Sequence, residues 1–276
     1  MDGELAESIA LITYGNEFLY SSKKDAPELF PSNSTFQYVS DISFKREKTT
    51  FGIFRKQEVI ATDTCTWFVS LKTAGIKKLQ LSLVELNQKL PEHIAVSFAG
   101  GGNWVIKASS EKTAELWVAH WSAKIKNRHH PQHRIWSVQY SRMPNYPAQI
   151  NFPEVNEAAK KLKGALNDAK IFSERARFDS WANLFAEATD LLSHSMPVIP
   201  YHPDLLPPHC QKLSSRQLMA SACKAWVFGG MGSWNDLCFE DTSLQKDYNS
   251  VTVGLYQAVM GAIGAATNST AGSVLK

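Results

Sequence analysis

Around Pro147 and Pro153 the spacing of apolar residues changes, from every second residue before to every third or fourth after. A strand buries alternate side chains, whereas a helix buries a stripe with a period of about 3.6 residues. The change therefore divides the chain into a strand-rich region, 1–150, and a helical region, 151–276. Period-two runs are Phe36, Tyr38, Ile42 and Phe44, then Cys65, Trp67, Val69 and Leu71, then Ile94, Val96 and Phe98, then Trp136, Val138 and Tyr140. Three helices are expected among them. One opens the chain through Leu5, Ile9, Ile12 and Phe18. A second starts at the capping-box spacing Ser82–Glu85 and carries Leu83, Leu86 and Leu90. A third holds Ala114, Trp117, Val118, Trp121 and Ile125.

Beyond the prolines four apolar stripes follow. They run through Val155, Leu162 and Leu166; through Trp181, Phe185 and Leu192; through Leu218, Ala222 and Trp226; and from Thr242 through Leu255 to Ile263. The pattern predicts an α+β protein. A largely antiparallel or mixed sheet fills the N-terminal half and helices fill the C-terminal half, either as separate units or around one shared core.

Composition narrows the class. With 44% hydrophobic and 20% charged residues the chain is globular rather than disordered. The net charge of +3 is spread as +4 over 1–150 and −1 over the rest, which permits an anionic partner without demanding one. Cys65, Cys210, Cys223 and Cys238 form no CxxC pair, and the opening Met-Asp-Gly-Glu is acidic where a signal peptide is basic. Free thiols in a cytoplasmic protein are the expectation. The uncharged run after Tyr248 contains an apolar core, 251–266, that is short for a span of about 20 residues, so a buried helix is expected there. Gly254, Gly261 and Gly264 suggest that another backbone packs closely on that helix, either the helix expected to end at Phe228 or a second copy in a homodimer.

The densest chemical candidate is Lys224-Ala-Trp-Val-Phe-Gly-Gly-Met-Gly-Ser-Trp-Asn-Asp236. A glycine pair closing a helix reads as a C-cap, with Gly229 or Gly230 in the left-handed conformation. Ser233 can then cap a short new helix with Asp236 at its third position, and Gly230, Gly232, Ser233, Trp234, Asn235 and Asp236 are the expected ligand-binding residues. No Lys follows, so this is not a phosphate-binding P-loop. A second candidate is the acid-free stretch 121–136. There Lys124, Lys126, Arg128 and Arg134 stand between Trp121 and Trp136, a mixture of cations and rings suited to nucleic acid but equally to a solvated connector. Gly100–Gly102 reads as a hairpin turn.

No metal-site spacing is present. His129, His130 and His133 lack a fourth ligand nearby, and His202, Asp204, His209 and Cys210 match no zinc module. Nor is there a GxSxG elbow or a paired-carboxylate pattern, and no cofactor fingerprint occurs. The expectation is a soluble cytoplasmic binding or accessory protein with a cleft for a protein or small-molecule partner near the glycine segment. The alternatives are a nucleic-acid-associated protein using 121–136, or an enzyme built around Ser233 and Asp236.

Overall fold

A computed structural model describes residues 1–50, 54–83, 104–124, 131–143, 151–208, 212–229 and 231–271. The chain opens with helix α1 (Gly3–Tyr20), whose first turn is closed by Asp2 accepting from the Leu5 N–H at 2.8 Å. Strands β1 (Val39–Thr50) and β2 (Phe54–Ala61) follow, then helix α2 (Thr64–Thr73). Next come β3 (Lys78–Leu83), β4 (Trp104–Ser109), β5 (Ala114–Ala123) and β6 (Trp136–Met143). The six strands form one mixed sheet in the order β2-β1-β6-β5-β4-β3. β1 and β6 run parallel, and every other neighbouring pair is antiparallel. The second half supplies α3 (Val155–Arg175), α4 (Asp179–Asp190), α5 (Leu213–Lys224) and α6 (Thr242–Asn268). The α+β class and the mixed sheet expected from the sequence are both present.

Two plugs hold the halves. Trp67 of α2 is fully buried, stacks on Phe44 of β1 at 4.3 Å and meets Trp117 of β5 edge-on at 5.5 Å. Phe44 also stacks on Tyr140 of β6 at 5.3 Å. On the helical side Trp234 is the plug, edge-on to Phe185 of α4 at 5.2 Å and to Phe172 of α3 at 6.0 Å. Burying an aromatic ring removes a large apolar area from water, and edge-on ring pairs add to it. The buried side chains of α1, the sheet and all four later helices form one contiguous cluster. α1 is buried along most of its length between the sheet and the helical half, which is why its sequence carries Leu5, Ile9, Leu11 and Ile12.

Two side chains complete the outer edge of β3. The Asn16 carboxamide donates to the Leu79 carbonyl at 2.9 Å and accepts from its N–H at 2.7 Å. Asn268, at the end of α6, does the same for Leu81, at 3.0 and 2.7 Å. A primary amide offers one donor and one acceptor side by side, the pairing a neighbouring strand would present.

Several elements differ from expectation. Residues 64–73 form a helix, not a strand. Asp63 caps it by accepting from Thr66 N–H at 2.6 Å, and Trp67, Phe68 and Leu71 make its buried face. Residues 114–123 form a strand, not a helix. Trp117 faces the main core, while Leu116 packs with Val105 and Val118 in a second small cluster, so burial on both sides hides the alternation. Ser82 and Leu83 end β3 instead of starting a helix. The rest of that expected helix, the strand at Ile94–Phe98, the Gly100–Gly102 turn and Pro147 lie outside the described residues. α5 ends at Lys224, so Trp226 belongs to the irregular chain after it and no helix reaches Phe228.

The long apolar helix α6 is, among the described residues, the one with the length and hydropathy to cross a membrane, yet 61% of its most apolar window is buried within this fold. Its glycine face is filled differently from expectation. A Cβ on Gly264 would lie 2.3 Å from the Phe152 ring, so an aromatic side chain, not a second backbone, occupies that space.

Candidate functional site

The glycine segment is tied to itself and to α6. Gly232 adopts φ +85°, the left-handed region that L side chains avoid. Gly229, expected to share that role, does not, and Gly230 lies outside the described residues. The turn at Gly232 lets Ser233 cap the short 3-10 helix Trp234–Asp236. Its hydroxyl accepts from the Asn235 N–H at 3.3 Å and donates to the Gly229 carbonyl at 3.0 Å. Asp236 reaches back to the Gly232 N–H. Trp234 donates its indole N–H to Thr252 of α6 at 2.8 Å, and the Tyr248 hydroxyl donates to the Trp234 carbonyl at 2.7 Å. Much of the polar equipment of Ser233, Trp234 and Asp236 is thus engaged in holding the segment down.

A cleft of about 710 Å³ opens beside it. Trp181 and Leu184 of α4 form one wall, Tyr201 of the proline loop another, and Trp226–Gly229 with Ser233 the third. Lys224 stands at its rim, paired with Glu187 at 2.5 Å. Tyr201 is 78% exposed with φ +67°, a conformation a bulky residue keeps only when its surroundings impose it. Met196 and Val198 of the same loop are exposed, and Met231 is fully exposed two residues past the cleft wall. The wall itself is unusual. Residues 226–229 belong to no helix or strand, and among the described residues the backbone N–H groups of Val227, Phe228 and Gly229 donate to no acceptor. Buried or rim N–H groups normally find one. Of the residues picked out from the sequence, Ser233 reaches the cleft, while Trp234 lies beneath it in the core. Trp181, Leu184 and Tyr201 were missed. The exposed aromatic in a proline loop was the available signal, but nothing in the sequence brings that loop to α4.

The basic group is only partly described, since Lys126 and Arg128 lie outside the described residues. Lys124 forms an ion pair with Asp41 of β1, so the stretch that is acid-free in sequence meets an acid across the sheet. Trp121 and Trp136 pack on each other edge-on at 5.9 Å rather than standing apart as stacking platforms. Arg134 lines a separate recess of about 510 Å³ with His133 and Tyr38.

His202 and Asp204 meet Ser34, at the start of a short 3-10 turn. The Ser34 hydroxyl donates to Asp204, and His202 Nδ1 lies 2.9 Å from the same oxygen. One hydroxyl proton serves one acceptor, so His202 must donate here and is not placed as a base toward Ser34. Asp204 also accepts from the Ser34 N–H at 2.8 Å, and its carbonyl accepts from Asn33 at 2.8 Å and Tyr14 at 3.0 Å. The trio locks the proline loop to the segment before β1. His209 and Cys210 lie outside the described residues, and among those described no three His, Cys, Asp or Glu side chains gather as a metal site. Cys223 is buried, which pushes its thiol up to about 12 and removes it as a nucleophile at neutral pH. Cys238 is exposed and Cys65 half-buried.

Comparison with known protein families, curated proteins and solved structures finds no match. The fold defines an α+β protein, and its function rests on the geometry above.

Proposed function

We propose that the protein is a soluble cytoplasmic binding protein that takes an extended segment of a partner protein into the cleft between α4, Tyr201 and residues 226–229. The observation that carries this reading is a cleft wall outside helix and strand in which the Val227, Phe228 and Gly229 N–H groups donate to no acceptor among the described residues, beside aromatic side chains. Peptide recognition by strand addition needs this combination: backbone donors for affinity and side-chain pockets for choice. Exposed Tyr201 in the cleft, with exposed Met196 and Val198 in the same loop and Met231 two residues past the wall, supplies residue types suited to partner surfaces, where Met and Tyr are enriched.

Panning a library of random peptides on the purified protein tests this. Selected peptides should carry an aromatic or long aliphatic side chain within an extended stretch. On binding they should slow amide exchange at Val227, Phe228 and Gly229. Tyr201→Asn tolerates the left-handed backbone and Met231→Ser is fully exposed; each should weaken the selected peptide by about tenfold. Failure to select any peptide, or protection confined to another face, would refute the reading. The nucleic-acid alternative has less behind it, because Lys124 is paired and Trp121 and Trp136 pack together.

A further inference from the structure

The two margins of the sheet are finished differently. At β3 the Asn16 and Asn268 carboxamides occupy the outer pairing positions. At the other margin β2 pairs with β1 alone, and among the described residues no other element hydrogen-bonds to its backbone. Gln57 and Val59 of β2 are exposed, Val59 at 52%. A strand left open in this way offers a row of backbone donors and acceptors to another chain. We propose that the chain forms a homodimer through this margin, with β2 of a second copy pairing antiparallel to β2 about Gln57.

Symmetry and the pleat restrict the register. Two copies related by a two-fold axis present the same strand to each other. When that axis is perpendicular to the sheet, each face of one copy continues into the same face of the other. Successive side chains of a strand point to opposite faces, so residues standing opposite each other must be an even number of positions apart. Every allowed register is therefore centred on a residue that meets its own copy. β2 is eight residues long, and centres at Gln57 or Glu58 keep most of it in the ladder. A centre at Glu58 sets that carboxylate against itself, and like charges directly opposite are destabilising. A centre at Gln57 sets Lys56 opposite Glu58, Arg55 opposite Val59 and Phe54 opposite Ile60, on both sides of the axis. Opposite charges and apolar residues then meet along the strand.

The pairing inside one chain favours the same register. β1 sets Arg46 opposite Glu58, joined at 2.7 Å, and Lys48 opposite Lys56. The two lysines are a like-charge register pair that a lone chain must tolerate. In the dimer the row across four strands reads Lys48, Lys56, then Glu58 and Arg46 of the second copy, so Lys56 gains a carboxylate on its open side. The surface shares no residue with the peptide cleft.

Sedimentation equilibrium of the full chain tests this over a range of concentrations at fixed salt. The wild-type mass should rise toward that of a dimer and no further. Lys56→Glu sets two carboxylates opposite each other at both ends of the contact, and Glu58→Lys sets two ammonium groups there. Each variant alone should self-associate about tenfold more weakly. An equimolar mixture of the two restores opposite charges at every position and should dimerise within about threefold of wild type. A merely structural role for either residue would not produce that rescue. In the wild-type protein, amide exchange along β2 should slow as concentration rises, while exchange along β3 stays constant; this reading holds whether or not the variants fold. A chain that stays monomeric up to about 1 mM overturns the proposal. So does a dimer without added protection on β2, or one whose charge-swapped variants fold but fail to recover on mixing.

Discussion

Glu7 stands fully buried on α1 next to Tyr140 of β6, with Ser8 3.5 Å from the Tyr140 hydroxyl. Burial drives the Glu7 carboxyl well above the usual carboxylate range, and the neighbouring Glu4 carboxyl pushes it the same way. Glu4 is itself raised to about 8 by burial and by Asp2. Tyr140 is held above its ordinary value by burial and by Glu7. The folded state therefore holds protons on Glu7 and Glu4 that the unfolded chain releases near pH 4.5. Stability from these groups is complete below that pH and falls as pH rises toward their folded values. Urea denaturation of Glu7→Gln should show greater stability than wild type at pH 7–9 and a flatter pH profile. A variant that loses stability equally at every pH would mean the carboxyl makes a hydrogen bond that Gln cannot replace. The glycines give a second contrast. Gly232→Val forces a β-branched side chain into φ +85° and should cost about 1–3 kcal/mol. Gly229→Ala meets only Ser233 Cβ at 3.7 Å and should be close to neutral by the same melting measurement.

Elements show where packing overrules local pattern. On α6, Gly264→Ala would push a methyl into the Phe152 ring and should destabilise by about 1–3 kcal/mol. Gly254→Ala has open space and should gain up to about 1 kcal/mol from helix propensity. Thermal melts of the two variants should move in opposite directions. The later helices were legible because each buries apolar residues recurring at helical spacing. α2 and β5 were read the wrong way round, each for its own reason. Cys65, Trp67, Val69 and Leu71 alternate by coincidence, while the side chains that bury are Trp67, Phe68 and Leu71. In β5 both Leu116 and Trp117 are buried, on opposite faces, so the run looks continuous rather than alternating. The candidate cleft was half legible. The sequence marked the segment from Lys224 to Asp236, but the α4 and Tyr201 walls come from contacts far apart along the chain, which no local spacing encodes.

At the scale of the molecule, one buried cluster runs from α1 through the sheet into α3–α6. Thermal unfolding followed by tryptophan fluorescence and by far-ultraviolet dichroism should therefore give coincident single transitions. Separate transitions would show that the strand-rich and helical parts fold independently. Because most of the apolar window of α6 is used inside this cluster, the full chain should remain in the supernatant without detergent. Its recovery only from membranes would reverse that assignment.

The paired carboxamides at the margin of β3 have a wider consequence. A bare sheet margin is a template on which another chain can grow, and natural proteins blunt such margins with charge, proline or short strands. Here two asparagines from opposite ends of the chain, Asn16 on α1 and Asn268 on α6, occupy successive strand-pairing positions at Leu79 and Leu81. Each stays in place only while its helix is docked. Partial unfolding that frees α6 would strip one of them and turn the margin into a seed for intermolecular sheet growth. Guarding against fibril formation would then depend on the chain keeping its last helix home.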